Sequence, residues 1–379
     1  MLKYMLITII AKAIWLLPYP TRTRLIRIGN PTEDSPVLAT CNYALTVEKL
    51  KRALKGRNLY LLVANSGGIN VWCAAAGGHF THHSIVSIIK TSGIERLVKH
   101  RRIILPQLAA PGIEAGVLKE KTGWRGIWGP VRADDIPAFL DGGMKKTEDM
   151  RRVDFPLADR VGMAAAWALS MSILAAVIFF FIKRSLIVPI VTSFWGFSLL
   201  VFTTFPLYER LIQKEKWRLG PFEYSFELGG LQIVLISLFT LGLTAAHFFF
   251  GGIAVKTVIS LEIIALVVIL ILTTDMTGNT PVYKSAHHDE LDFNVVLNKN
   301  KCKGTGICID VCPRDCFTLD KKRRKAEMTG ADRCERCAAC IVQCPFDALS
   351  FVSDDGRTVS PETTRKYKLN LMGKRSVAA

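Results

Sequence analysis

Asn58-Leu59-Tyr60-Leu61-Leu62-Val63-Ala64 runs straight into Asn65-Ser66-Gly67-Gly68-Ile69-Asn70-Val71-Trp72-Cys73-Ala74-Ala75-Ala76-Gly77-Gly78, and the reading of this join decides the fold. The first seven residues form a short apolar run bounded by turn formers, the signature of a buried strand. The Asn-Ser-Gly-Gly loop breaks it, and the residues from Ile69 open a short helix. A helix that starts just past a strand lies at the carboxyl edge of a sheet, where open α/β sheets bind their ligands. Cys73 sits there among alanines too small to cover it, beside an indole able to wall off water. Spacing alone leaves two readings open: a small core hydrophobe, the usual role of a free cysteine, or a sulfur facing a large flat ligand at close range.

Working outward, Arg22 to Asp154 alternates strand and helix. Strands are predicted at Val37 to Cys41, Leu59 to Ala64, Arg102 to Leu105 and Trp124 to Trp128. Helices are predicted at Thr46 to Lys55, Ser84 to Lys90, Ile113 to Lys121 and Asp134 to Leu140. Short β-runs separated by helices imply a mostly parallel, Rossmann-like sheet. No Gly-x-Gly-x-x-Gly follows the first strand, so a nicotinamide cofactor is not indicated. His79, His82 and His83 cluster after the cap segment, but no carboxylate or cysteine nearby in sequence completes a metal site. They read as an exposed helix start.

Beyond residue 157 the chain becomes apolar. Val161 to Ile182, Leu186 to Leu207, Leu231 to Phe250 and Ile253 to Leu272 each approach the length of a bilayer crossing. Four crossings, with the basic Tyr208 to Glu227 loop in the cytoplasm, put both flanking domains on the cytoplasmic side. Lys183-Arg184 then falls outside. His247 and Glu262 are the notable polar groups within the spans, with interhelical pairing set against a functional role. The run from Met1 to Leu17 is interrupted by Lys3 and Lys12 and reads as an interfacial anchor. A cleaved leader would carry the distal cysteines into an oxidising space. Over 379 residues the formal charge is +17 and the hydrophobic fraction 50%, with a mean hydropathy of +0.27. The basic excess is spread along the chain without a nucleic-acid motif, so the positive-inside bias of a membrane protein explains it and no nucleic-acid partner is expected.

Eight of the ten cysteines lie between Cys302 and Cys344, a clustering that indicates metal in a reducing compartment. Cys334-x2-Cys337-x2-Cys340-x3-Cys344-Pro345 is a complete dicluster run, in which the fourth cysteine crosses to the second cluster. The partner run, Cys302-Lys303-Gly304-Thr305-Gly306-Ile307-Cys308 through Cys312-Pro313, has Thr305 where its second cysteine belongs. By the crossing rule Cys312, Cys334, Cys337 and Cys340 hold one [4Fe-4S] cluster. Cys302, Cys308 and Cys344 remain for a [3Fe-4S] cluster, or for a [4Fe-4S] cluster whose fourth ligand is labile, non-cysteine or supplied by Cys316.

Asn70-Val71-Trp72-Cys73-Ala74-Ala75 resembles the cap-helix signature of the HgcA family of corrinoid proteins in microbial mercury methylation. The likeness extends to Ser35-Pro36-Val37-Leu38-Ala39-Thr40-Cys41-Asn42, to His100 through Leu108 and to Gly129 through Leu140. The family continues Gly-Lys-Gly where this chain has Ala76-Gly77-Gly78. The cysteine-rich module resembles HgcB, the dicluster ferredoxin partner, without that family's terminal cysteine pair. The resemblance implies a base-off corrinoid with Cys73 as lower cobalt ligand, held by Thr40, Asn70, Val71, Trp72, Ala74 and Ala75. The absence of an Asp-x-His-x-x-Gly motif, by which many corrinoid proteins supply a histidine, fits that implication. The expected architecture is an anchor at 1–20, a Rossmann-like corrinoid-binding domain at 21–157, a four-helix transmembrane domain at 158–275, a linker at 276–294, an α+β dicluster ferredoxin domain at 295–353 and a basic tail at 354–379. Expected partners are a methyl-donor methyltransferase, a low-potential electron donor and the lipid bilayer of the cytoplasmic membrane. The implied activity is corrinoid-dependent methyl transfer to mercury(II), against two alternatives: another acceptor, or membrane electron transfer without a corrinoid.

Overall fold

The computed structural model describes residues 2–13, 18–212, 217–219, 222–224, 229–250, 255–274, 293–320, 322–353 and 355–367. The 276–294 linker up to residue 292, most of the basic loop before Glu227, the His247 side chain and the tail beyond residue 367 lie outside the described residues. The chain divides into two compact units. One comprises Met1–Thr8, Leu17–Val153 and Leu291–Ala379, and the other Ile9–Leu16 and Asp154–Glu290.

The first unit is built on a five-stranded sheet of β1 (Arg24–Ile28), β2 (Val37–Cys41), β3 (Leu59–Ala64), β4 (Arg102–Leu105) and β5 (Arg125–Trp128), in the order β1-β3-β2-β4-β5. The strands β3, β2, β4 and β5 run parallel. β1 pairs antiparallel to β3 and caps the edge. Every residue of β2 and β3 is buried, as expected of strands covered on both faces. Their alternation sends Val37, Ala39, Cys41, Leu62 and Ala64 to one core with the helices His82–Ser92 and Ala115–Thr122. Leu38, Leu59, Leu61 and Val63 go to the other, with Val47, Leu50, Leu54 and Phe139.

The same unit holds the cysteine-rich module. Phe293–Leu297 pairs antiparallel with Leu349–Ser353, and Phe317–Asp320 with Lys325–Met328. Between them lie two short helices, Ile307–Val311 and Ala339–Gln343. Val311, Cys337 and Ala339 are buried in the same apolar cluster as Ala74, Ala75, Phe80, Ala110 and Ile113. The module is therefore packed on the sheet domain through a shared core.

In the second unit, Leu157–Ile182 and Ile187–Ile212 are joined by the turn Arg184–Leu186 and pack with Val255–Thr274 around Trp167, Phe194, Phe202, Phe205, Val268 and Ile269. The outward faces are apolar too, with Phe181 82% and Leu207 80% exposed, the pattern of helices whose surroundings are as oily as their core. Among the described residues three helices are long and apolar enough to cross a membrane, not the four expected: Leu157–Ile182, Arg184–Glu209 and Val255–Leu272. The third expected span is described with its side chains only over Gln232–Ala245, short of the roughly 20 residues a crossing takes. Glu262 Oε2 accepts a hydrogen bond from Thr240 Oγ1 at 3.1 Å, an interhelical pairing.

Candidate functional site: the cap helix and the cysteine cavity

The loop after β3 is pinned by one side chain. Asn42, 5% exposed at the end of β2, accepts through Oδ1 from Ser66 N, Ser66 Oγ and Gly68 N, all at 2.9 Å. Its Nδ2 donates to Thr21 O at 3.2 Å. Ile69 O, 2.8 Å from Ser66 Oγ, is the alternative acceptor for that hydroxyl's single proton. Gly68, at φ +74°, has its Cα so close to Pro20 that a Cβ would stand 2.6 Å from the proline nitrogen, so no other residue fits. The cap helix Val71–Ala76 begins at once. Asn70 is its N-cap and accepts from Cys73 N at 2.9 Å through Oδ1. Asn42→Ala leaves these buried donors unanswered and is expected to cost roughly 2–4 kcal/mol of stability, measured by denaturant unfolding, and to loosen the loop that sets the cap.

This geometry separates neighbours in sequence. Ala74 and Ala75 are buried against the sheet core, Val71 and Trp72 are half-buried, and Cys73 is exposed. The core-cysteine reading therefore falls to Cys41, at 0% exposure. Crowding by the surrounding chain pushes the Cys73 thiol above its ordinary pKa, partly offset by Asn70. Thr40, also at the carboxyl end of β2, is 1% exposed, and its hydroxyl finds no oxygen or nitrogen partner. An outward sulfur and a spare buried hydroxyl at one sheet edge fit a ligand that brings its own polar groups.

The cap helix packs on the turn Gln107–Ala109 that follows β4. At Gly112 a Cβ would lie 2.3 Å from Phe80 O and 3.0 Å from Ala75 O, so the two segments touch backbone to backbone. His82, expected on an exposed helix start, is 7% exposed and faces Glu114 Oε1 at 3.4 Å. No group of three or more candidate metal ligands of the His/Cys/Asp/Glu kind was found among the described residues.

The cysteines fall into two neighbourhoods. Cys312, Cys334, Cys337 and Cys340 line one cavity. Cys308 has Cys302 and Cys344 as its charged neighbours, and burial pushes its thiol up to about 12. Four thiols around one small cavity are a donor set that fits a cubane cluster. Thr305 is exposed where its counterpart Cys337 is buried. Cys316, offered by sequence as a fourth ligand for the Cys302 group, lines the other cavity instead. Its N–H donates to Cys312 Sγ at 3.3 Å, because the Cys-Pro turn folds the chain back over the thiol it has just placed. Ala348 N makes the equivalent bond to Cys344 Sγ at 3.4 Å. A hydrogen bond from the Cys316 side chain brings Cys312 down to about 7.

Residues 16–140 match the family described as CO dehydrogenase/acetyl-CoA synthase delta subunit. Residues 301–348 match the 4Fe-4S dicluster domain. The chain is similar to the acetyl-CoA decarbonylase/synthase complex subunit gamma of Methanopyrus kandleri, 35% identical over 126 residues that make 33% of this chain and 27% of that protein. It is 37% identical over 115 residues to the subunit of that name in Methanothermobacter thermautotrophicus, covering 30% of this chain and 25% of that protein. It is also similar to the corrinoid/iron-sulfur protein large subunit of Moorella thermoacetica, 34% identical over 124 residues, 32% of this chain and 27% of that protein. The chain thus spans about a quarter of the length of the curated relatives it matches. The first match covers all five strands and the cap helix.

Proposed function

We propose that this chain is a membrane-bound, corrinoid-dependent methyl-transfer protein that carries its own reductant. The observation behind the reading is the placement of Cys73, exposed on the cap helix at the carboxyl edge of the sheet, in a stretch similar in sequence to a corrinoid/iron-sulfur protein large subunit. Cys73 would hold the cobalt through its sulfur, and Asn70 holds the first turn that presents it. Trp72 shields the sulfur from water, and the Thr40 hydroxyl meets a polar group of the ligand. Val71, Ala74 and Ala75 keep the helix face small enough for a flat macrocycle to approach. When bound, a corrinoid supplies a transferable methyl group on cobalt, and a thiolate beneath the metal favours departure of that methyl with its bonding pair. Mercury(II), a soft electrophile, is the acceptor implied by the HgcA-like cap; Ala76-Gly77-Gly78 in place of that family's Gly-Lys-Gly leaves a non-mercury acceptor as the second reading.

Cys312, Cys334, Cys337 and Cys340 hold a [4Fe-4S] cluster, while Cys302, Cys308 and Cys344 hold a [3Fe-4S] cluster beside the exposed Thr305. Thr305→Cys is expected to raise iron from about seven to about eight atoms per chain and to abolish the paramagnetic signal of an oxidised three-iron cluster. Tethering makes the clusters a reductant at high effective concentration for the cobalt. A methyl-donor methyltransferase and a low-potential electron donor serve it from the cytoplasm. Residues before 153 and after 291 pack as one unit, and the three long apolar helices between them are the candidates for the crossings.

The deciding experiment measures cobalt in the purified protein, the spectrum of the bound corrinoid and methylmercury formed from the methylated protein with mercury(II). Stoichiometric cobalt with methylmercury product supports the reading. Cobalt without product redirects it to another acceptor, and clusters without cobalt reduce the protein to a membrane electron carrier.

A further inference from the structure

The packing of the cysteine-rich module on the sheet domain is specific. Gln107, 1% exposed on the turn beneath the cap helix, donates through Nε2 to Cys312 O at 3.3 Å and to Arg151 O at 2.8 Å. Lys146 has a side chain only 3% exposed. It donates to Gln107 Oε1 at 2.8 Å and to Asp310 O at 2.7 Å, and pairs with the Asp310 carboxylate at 2.9 Å. From the module's other helix, Gln343 Nε2 donates to Ala110 O at 2.7 Å and Ile113 O at 2.6 Å, and its Oε1 accepts from Ala115 N at 3.4 Å. Val153 N donates to Pro313 O at 2.8 Å. Buried amides satisfied on both sides, and an ammonium enclosed against its carboxylate, define one register and resist sliding.

This register distinguishes the two cysteine groups. Cys337 lies in the sheet domain's own apolar cluster, and the carbonyl of Cys312 is held by Gln107. Cys302, Cys308 and Cys344 lie in the module's own core, which also takes in Cys312 and Cys340, so among the described residues Cys337 is the candidate ligand that reaches into the sheet domain's cluster. From Cys312 the contacts run through Gln107 into the 107–113 segment, whose Gly112 rests on Ala75, two residues from Cys73.

We propose, resting on the corrinoid reading above, that the cluster held by Cys312, Cys334, Cys337 and Cys340 is the one that reduces the cobalt. Gln107, Lys146 and Gln343 are the positioning residues that seat it, and the Thr305 cluster is the port for electrons from outside. Each transfer takes one electron from a reduced [4Fe-4S] cluster, which returns to its oxidised state, and two successive transfers would carry the cobalt(III) left by departure of the methyl with its bonding pair through cobalt(II) to cobalt(I). A low-potential one-electron donor, reduced methyl viologen in the test, refills the chain at the Thr305 cluster.

Three measurements test this on full-length protein loaded with clusters and cobalamin. The Gln107→Leu/Gln343→Leu variant is expected to keep its iron content and cluster spectra while cobalt(I) formation after mixing with reduced viologen slows on the order of tenfold or more, the scale of loss when a reacting pair is misplaced by about an ångström. Amides of residues 107–113 exchange faster with solvent in that variant, with or without corrinoid. In partly reduced samples the cobalt(II) resonance is broadened by a neighbouring reduced cluster, and Cys302→Ser preserves that broadening. An unchanged reduction rate, unchanged amide exchange, or broadening that disappears in Cys302→Ser overturns the assignment. A wild-type protein that loads no cobalt removes the corrinoid reading and this proposal together, whereas cobalt loading with unaltered reduction in the double variant removes the proposal alone.

Discussion

Cys73→Ala is expected to abolish methyl transfer, lowering the rate at least about a hundredfold, while leaving the fold intact. The expectation rests on exposure: the Cys73 side chain fills no core space, so its loss creates no cavity and changes stability by less than about 0.5 kcal/mol. The N–H bond from residue 73 to Asn70 Oδ1 is a backbone bond and survives. On the proposed corrinoid reading, what goes is the sulfur that would ligate cobalt, and with it the electron density that would prepare the methyl group to leave. The spectrum of the bound corrinoid should lose its sulfur-ligand character, and unfolding curves of variant and parent should coincide. A variant that transfers methyl at the parent rate would show that the cap thiol is no ligand.

The second large effect is expected at Cys337. This residue is 8% exposed and belongs both to the lining of the cluster cavity and to the apolar cluster of the sheet domain. Cys337→Ala removes one of four thiolates, and a cluster whose ligands are incomplete assembles poorly because binding energy is part of folding energy in such modules. About four iron atoms per chain should be lost, together with the spectrum of the Cys312 group, while the Cys302 group keeps its own. Because the same residue helps join the module to the sheet, the segment around Gln343 and Ala110 should become more open to protease. Iron analysis and limited proteolysis read the two consequences separately, and retention of full iron would refute the ligand assignment.

The sheet's inner strands were legible because each is an unbroken apolar run between turn formers. Val37–Cys41, Leu59–Ala64 and Arg102–Leu105 appear where they were expected. β1 escaped notice because Arg24-Leu25-Ile26-Arg27-Ile28 carries two arginines in five residues and borders solvent as an antiparallel edge. The dicluster spacing rule put Cys312 with the Cys334 group, and the structure has these thiols lining one cavity. The place of Cys316 did not follow from spacing, which says nothing about the direction a chain takes after a Cys-Pro turn. Gln107 and Cys312 lie 205 positions apart, and nothing in a glutamine between Pro106 and Leu108 announces a partner at that range. Asn42 was legible as part of a motif but not as a hub, because its role is set by three donors from a loop that sequence treats as flexible. The apolar segments were legible by length, and the count fell from four to three where the described side chains cover only part of one helix.

The insertion of Asp154–Glu290 between the two halves of one compact unit also has a consequence at the ribosome. At roughly 5–20 residues per second, the cysteine module emerges on the order of ten seconds or more after the sheet domain is complete. Throughout that interval the nascent face that Val311, Cys337 and Ala339 will cover stands bare to solvent. A half-made molecule of this kind calls for a chaperone or prompt membrane targeting, and it cannot be wired for electrons until its last hundred residues have been translated.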